Sequence, residues 1–537
     1  MTMIDRRQLL ATGTLGLGAF ALPGFASAFQ RGGGGFTHNV ASGEPALDSV
    51  LLWTRYVPPS GETAKVRVEI AEDAGFRRVA AGAEMVTGPW RDHTVKLTVT
   101  GLRAGTRYHY RFVAPDGSTS PVGRTATLPD RAARFAIATF SCSNLGFGWF
   151  NAYAHAAARD DIDLVVHLGD YIYEYGIGTY PVAAEIVAGR DMLPSHEILA
   201  LADYRLRYAS YRSDPDLQRI HQLRPMLVQW DDHESANDSW EGGAQNHQPD
   251  EGGWAARKAA AVQAWREWMP VSDEPWKAYD IAGLASVYRT DTRLAARSRP
   301  PEITDAMRRS DAALAAFRDG AWRDPAATMM GSDQEAWLAA AMAASVRAGR
   351  KWQVVGIGTN MGEQRTPANA LSWLAPDAPA YARQTMKERV AAGRAGLPAN
   401  LDNWGGYPAA RSRFLGRAQA IGADTIVLTG DSHNAWAFDL IEGGRAAAVE
   451  FGGQAVSSSG IESATRGVDP ARIARDLVAA SSELKWCDTS RRGYMVTTLA
   501  PEAATNDWIF MDTVARRSVR TTKPHRATVR HGANRMG

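Results

Sequence analysis

The chain has 537 residues, 45% of them apolar, and a formal charge of +2. That is enough chain for two or more domains, and it leaves no charge excess that would single out nucleic acid as a partner. Two cysteines, Cys142 and Cys487, are too few for a disulfide-framed fold.

At the N-terminus, Arg6 and Arg7 precede an apolar, glycine-containing stretch from Ala11 to Phe25 and then Ala26-Ser27-Ala28. Paired arginines, a moderately apolar core and a small-residue cleavage site compose a twin-arginine export signal. The competing readings are an ordinary secretory signal or an anchor, but the core is short and interrupted beside the ~20 residues a spanning helix needs. Residues 1–28 are therefore set aside as a signal peptide. The mature chain is expected to leave by the twin-arginine machinery, as a periplasmic or secreted protein without a stable membrane anchor.

From residue 36 to 128 the pattern has period two. Val66, Val68 and Ile70 alternate with Lys65, Arg67 and Glu69, then Val95, Leu97 and Val99 with Lys96 and Thr98, and Tyr108, Tyr110 and Phe112 follow. Short half-buried strands between Gly/Pro turns predict an antiparallel β-sandwich. The string Gly101 to Tyr108 resembles the corner before a late strand of a fibronectin type III domain.

After Arg134 the period changes. Apolar, strand-like runs alternate with helical stretches at 150–159, 254–268 and 333–348, the last opened by a Ser332/Glu335 capping box, and this alternation predicts an α/β catalytic domain over 134–512. Stretches from 300 to 328 and from 362 to 401 read as loops covering one rim, with Tyr175, Trp404 and Tyr407 as rim aromatics. Residues 513–537 read as a basic, solvated tail. There are no internal repeats and no coiled coil.

Four runs end in chemistry-bearing residues: Phe135–Phe140 in Ser141-Cys142, Asp163–Leu168 in Gly169-Asp170, Met226–Trp230 in Asp231-Asp232-His233, and Thr425–Leu428 in Thr429-Gly430-Asp431-Ser432-His433. In layered α/β folds ligands bind outside the carboxyl ends of strands, so these residues can converge there. Asp170, Asp232 and Asp431 offer hard oxygens, His233 and His433 imidazoles, Tyr173 a phenol and Cys142 a thiol. Hard ligands suit calcium, magnesium, manganese or iron better than a thiolate-rich zinc cage, and a tyrosine in the set argues for a trivalent ion. An oxidising compartment permits a Cys142–Cys487 bridge, but the strand-end position of Cys142 assigns that thiol to the site and leaves Cys487 as a small buried residue.

The strings Phe36 to Pro45, Trp53-Thr54-Arg55, Ser141-Cys142, His167 to Glu174, Trp230 to Glu234, Asp291-Thr292-Arg293, Gly430 to His433 and Arg492-Gly493-Tyr494 span nearly the whole mature chain. In them the chain resembles the PhoD-type alkaline phosphatases of the metallophosphoesterase superfamily. Asn39 and Glu44 stand where that family more often shows Gly and Asp. The resemblance implies a four-layer catalytic domain of two sheets flanked by helices. It further implies ferric iron held by Cys142, Asp170, Tyr173 and His433, and calcium bridged by Asp170 and bound by Asp232 and Asp431, with Asn237 a weaker ligand candidate.

The activity it implies is hydrolysis of small-molecule phosphate esters, monoesters and possible diesters, by hydroxide attack at a two-metal centre. His233 would protonate the leaving oxygen or serve as a hydrogen-bonding neighbour of the ligands, and Arg293 would stabilise phosphoryl charge or serve structurally. His167 reads as a core histidine. Two alternatives stand beside this one: phosphodiesterase or phospholipase D-type activity on the same centre, and an exported binding protein whose metals are structural.

Overall fold

A computed structural model describes residues 34–375, 378 and 380–537; the expected export signal lies outside the described residues. Phe135–Phe140 and Leu164–His167 are buried along their whole length, as are Pro225–Val228 and Thr425–Thr429. Strands covered on both faces need continuous apolar runs rather than alternation, which is what these segments supply.

The first three lie side by side and parallel in a nine-stranded sheet, with Thr139 facing Val166 and Val165 facing Met226. The fourth is a central strand of a seven-stranded sheet, parallel to Trp352–Gly356 on one side and Arg445–Gly452 on the other. The two sheets pack face to face through Ile137, Val166 and Leu227 of one and Val354, Ile426 and Leu428 of the other.

The outer face of the larger sheet is covered by helices Asn151–Ala157, Leu201–Tyr211, Pro215–Leu223 and Trp254–Trp268. Helices Gly331–Arg347, Pro408–Ala420 and Pro470–Ala480 cover the other. The result is a four-layer α/β arrangement, as the resemblance implies.

The N-terminal strands form a sandwich. Gly35–Gly43, Val50–Val57 and Thr94–Val99 pack Val40, Val50 and Leu52 against Val68, Ile70, Tyr110 and Phe112 of a four-stranded sheet. Arg103 N donates to Tyr108 Oη over 2.9 Å at the corner expected before the late strand. The sandwich is not a detached module, because its first strand runs parallel to Pro225–Val228, with Ser42 opposite Pro225. One of its sheets is thus the continuation of the catalytic sheet, a pairing across some 180 residues that periodicity does not encode.

Several other expectations are corrected. The segment after 512 is no free tail: His525–Arg530 closes the edge of the nine-stranded sheet against Ala503–Phe510, and Met536 N donates to Asp439 Oδ1 at 2.8 Å. The stretches expected to be loops carry helices Asp311–Asp319 and Ala380–Arg394.

The Ser332/Glu335 capping box does not form. The helix starts two residues earlier, at Gly331, whose amide is taken by the Thr328 hydroxyl, and Glu335 is drawn into a pair with Arg413. Trp404 and Tyr407 are fully buried rather than lining a rim. Both cysteines are free and buried, Cys487 lying in a strand of the seven-stranded sheet. Among the described residues, no helix is long and apolar enough to cross a membrane.

Candidate metal centre

The carboxyl ends of the four buried strands meet. Ligand atoms of Cys142, Asp170 and His433 lie within 4.8 Å of one another, and so do those of Asp170, Asp232 and His233, and those of Asp231, Asp232 and Asp431. Shared members, Asp170 and Asp232, join the three groups into one site. Cys142, Asp170, Asp431 and His433 all have positive φ, between 54 and 61°. Left-handed backbone at a non-glycine residue costs on the order of 1 kcal/mol or more, and such strain concentrates where side chains must be aimed at a ligand.

The bend after Leu168 depends on Gly169, which has φ +109°; a Cβ there would lie 2.3 Å from Asp231 N and 2.5 Å from Asp231 Cβ. Two strand ends approach so closely only because that atom is missing. Gly169→Ala is expected to destabilise the fold by roughly 2 kcal/mol or more and to lower phosphatase activity at least tenfold, read by urea denaturation and turnover; unchanged stability would show that the strand ends tolerate separation.

The carboxylate of Glu234 fastens the same junction, accepting from Asp170 N at 3.1 Å, Tyr171 N at 2.6 Å and Asp231 N at 2.8 Å. Tyr173 Oη lies 3.3 Å from both Asp170 Oδ2 and His433 Nε2 and accepts from Ser458 Oγ at 2.8 Å. His433 Nδ1 lies 2.6 Å from Ser459 O, so that nitrogen donates and Nε2 is left as the lone-pair atom turned toward the site. Burial keeps this imidazole neutral, with its pKa drawn down to about 3.

The electrostatics call for cations. Asp170 Oδ1 is buried without any hydrogen-bond partner among the described residues. Burial, with Asp232, Asp231 and Glu234 nearby, pushes the Asp170 carboxyl well above the ordinary range. Burial and the facing Asp231 do the same to Asp431, and burial with Asp170 raises the Cys142 thiol. Closely packed acids, a neutral imidazole with a directed lone pair and a buried thiol form a donor set that fits hard or borderline cations.

Burial alone would neutralise His233, but Asp232, Glu174 and Asp170 together hold its pKa well up. Its Nδ1 sits 2.7 Å from Glu174 Oε2, and its ring lies 4.2 Å from that of Tyr173. Cations on Asp170 and Asp232 would cancel their share of that effect, leaving Glu174 as the lasting partner. The Gly430–His433 end is the open side: the Asp431 side chain is 20% exposed, whereas Asp232 is 2% exposed.

Two further candidate residues lie beside these groups, Arg293 in the structural one of its two expected roles. Arg293 has no exposed side-chain surface. Its Nε donates to Asp231 Oδ1 and its Nη1 to Asp402 Oδ2, both at 2.6 Å, and Nη2 lies 3.7 Å from Asp431 Oδ1. It is therefore a positioning residue behind the acids and not a group that meets phosphoryl oxygens from solvent. The side-chain amide of Asn237 donates to Gln245 Oε1 at 2.9 Å, and its backbone N–H donates to Glu174. The residue grouped with Asp232 there is Asp238, in a fourth group with Asp402.

Sequence reasoning does not single out Asp231, Asp238, Asp402, Glu174 or Glu234. Glu174 and Glu234 lie inside the motif strings, and a carboxylate left over in a ligand motif is the available signal. Asp402 follows no strand-like run and offers none. His167 is the core histidine expected, its Nε2 2.9 Å from Tyr153 Oη. Beside Asp238 and Asp402 opens a cavity of about 620 Å³ bordered by Trp240, Arg299, Arg308 and Arg389; segments on both sides of it come from the stretches expected to cover one rim.

The family model described as PhoD-like phosphatase matches residues 135–508, and that described as PhoD-like phosphatase, N-terminal domain, matches residues 24–129. Alkaline phosphatase D of Bacillus subtilis (strain 168) is 31% identical over 502 residues, which cover 89% of this chain and 77% of that protein. A solved structure of PhoD superposes with a TM-score of 0.76 at 26% identity, over 94% of this chain and 92% of that one. A purple acid phosphatase from yellow lupin seeds has a TM-score of 0.53 at 12% identity, over 92% of this chain and 74% of its own, a likeness of fold.

Proposed function

The chain belongs to the PhoD-like phosphatase family, and from that premise we propose that this phosphatase is exported, that it works on small phosphate monoesters and diesters, and that it does so with ferric iron and calcium. The observation that carries the reading is the meeting of four strand ends in groups that share Asp170 and Asp232. Cys142, Asp170, Tyr173 and His433 would hold the iron, since a thiol, a phenol, a carboxylate and an imidazole suit a trivalent ion. Asp170, Asp232 and Asp431 would hold calcium, which prefers carboxylate oxygen. When bound, two cations polarise phosphoryl oxygens and lower the pKa of water.

The remaining work falls to the chain's own residues. Glu234 fixes the backbone of Asp170 and Asp231, and Arg293 aligns Asp231 with Asp402. His233, held by Glu174, carries the proton that the leaving oxygen takes up. His233→Gln is expected to cost about 10²-fold on an alkyl phosphate such as glycerol phosphate and much less on p-nitrophenyl phosphate, whose leaving group needs no proton. Equal losses on both would assign His233 to ligand positioning alone.

The cavity beside Asp238 and Asp402 supports the diester part of the reading, because it offers room and arginines to a second ester group. The experiment that tests the whole reading is metal quantification on protein recovered from its native export route, with turnover of p-nitrophenyl and bis-p-nitrophenyl phosphate before and after chelation. Iron and calcium are expected, with activity on both esters lost on chelation and regained on adding the ions back. Lysine in place of both Arg6 and Arg7 is expected to hold the protein in the cytoplasm. Metal-free protein with full activity would overturn the mechanism, and unaltered export the route.

A further inference from the structure

A second cavity, of about 600 Å³, lies at the opposite end of the catalytic strands. It is walled by Arg107, His109, Arg124, Arg131, Arg134 and Arg224, and the carboxylate facing them is that of Asp163. Residues on its wall immediately precede three of the strands whose far ends make the metal centre: Arg134 before Phe135, Asp163 before Leu164 and Arg224 before Pro225. Strands of four to six residues separate the two places, a span of roughly 15–20 Å.

The cations come from both halves of the molecule. On the strand Arg107–Val113, Tyr108 and Tyr110 point into the sandwich core while Arg107 and His109 take the opposite face. Arg124 is the register partner of His109 on the next strand. Arg224 enters from the catalytic domain at the end of helix Pro215–Leu223 and is 7% exposed.

These charges are poorly compensated. The guanidinium groups of Arg107, Arg124 and Arg131 make no hydrogen bond or ion pair among the described residues. Arg224 Nε and His109 Nδ1 are buried without partners among the described residues. Arg224 donates to the Arg159 carbonyl and reaches Asp160 at 3.4 Å, but that aspartate is 85% exposed and offers a weak counter-charge. Asp163 is already spent, accepting from Ala136 N at 2.8 Å and pairing with Arg134 at 3.8 Å. Burial, joined by the facing Arg124 and Arg107, pulls the Arg224 guanidinium below its ordinary pKa. Arg107, Arg124, Arg131 and Arg134 are exposed around the buried Arg224, and a bound dianion would neutralise that buried charge while the outer guanidinium forks match it two oxygens at a time.

We propose that this cavity is a second, non-catalytic binding site for a phosphate group, either free or carried as the head of a larger molecule. The site depends on neither the metals nor the hydrolytic reading, so the two stand or fall separately.

The test is calorimetric titration of the full, metal-loaded protein with inorganic phosphate and, in a separate arm, with vesicles containing phosphatidic acid. The parent is expected to show two classes of phosphate site, one lost when the metals are chelated and one retained. The double variant Arg107→Glu/Arg124→Glu should lose at least tenfold in affinity at the second class while hydrolysing p-nitrophenyl phosphate within twofold of the parent. Vesicle binding that disappears in the same variant would name a lipid head as the source; phosphate binding without vesicle binding would name a free anion. Should charge reversal unfold the sandwich, Arg107→Gln/Arg124→Gln provides the milder version. A single class of site lost entirely on chelation, or identical isotherms for parent and variant, overturns the proposal.

Discussion

Asp431→Asn is expected to lower kcat/KM for p-nitrophenyl phosphate by roughly 10³-fold, equivalent to about 4 kcal/mol of transition-state stabilisation, while the metal-free protein becomes at least as stable as the parent. The two effects have opposite signs for one reason. Without cations, Asp431 is an acid forced against Asp231 and Asp232 and pushed toward protonation by burial and by their charge, so removing its charge relieves repulsion. With cations the same charge is a ligand, and the amide that replaces it is neutral and weaker.

Backbone strain does not confuse the result, because Asp431 has φ 61° and asparagine tolerates the left-handed region as well as aspartate does. Melting of chelated and metal-loaded samples, beside turnover, separates the contributions. The metal-dependent gain in melting temperature should shrink in the variant. Turnover within tenfold of the parent, or a metal-free variant less stable than the parent, would remove Asp431 from the ligand set.

The part of this site legible in the sequence is the part carried by buried parallel strands. A strand covered on both faces must be a continuous apolar run, and the residue that ends it is pinned at the sheet's edge, so the amino-acid pattern alone suffices to place Cys142, Asp170, Asp232 and Asp431 together. Residues delivered by loops or helix approaches leave no such mark. Asp402 reaches the site from an irregular stretch and is held there by Arg293 and Arg297, which both bind it.

Asn237 resembles a ligand because it follows the motif, and the turn at Asp238, with φ 50°, brings the next carboxylate to Asp232 as well. The helices at 311–319 and 380–394, hidden in the sequence, are arginine- and alanine-rich elements among scattered prolines, with their apolar contacts concentrated at Leu314, Phe317 and Val390. So few buried positions give a weak periodic signal. In His525–Arg530 the basic charge masks a strand pattern, in which half-buried Ala527 and buried Val529 alternate with Arg526, Thr528 and Arg530, and an edge strand rich in basic residues is a common way of blocking sheet extension.

Arg293 tests most sharply what holds the acids together. It is wholly buried and bridges Asp231, Asp402 and, at 3.7–3.8 Å, Asp431 and Asp232. Burial alone would favour the neutral guanidine, but Asp231, Asp232 and Asp402 keep the positive charge firmly in place. Arg293→Met keeps much of the volume and leaves Asp231 without its two-point partner, so it should cost about 3–5 kcal/mol of stability in the metal-free protein, the range for breaking a buried pair by removing one member.

Arg293→Lys should recover little, since an ammonium cannot span Asp231 and Asp402 with a fixed fork. Added cations should restore part of the loss in Arg293→Met, because they neutralise the same carboxylates from the open side. Urea denaturation of both variants, with and without metal, reads these effects. A side chain that acted mainly by touching phosphoryl oxygens would behave otherwise, losing turnover in both variants with unfolding midpoints at the parental value, and that pattern would return Arg293 to stabilising phosphoryl charge.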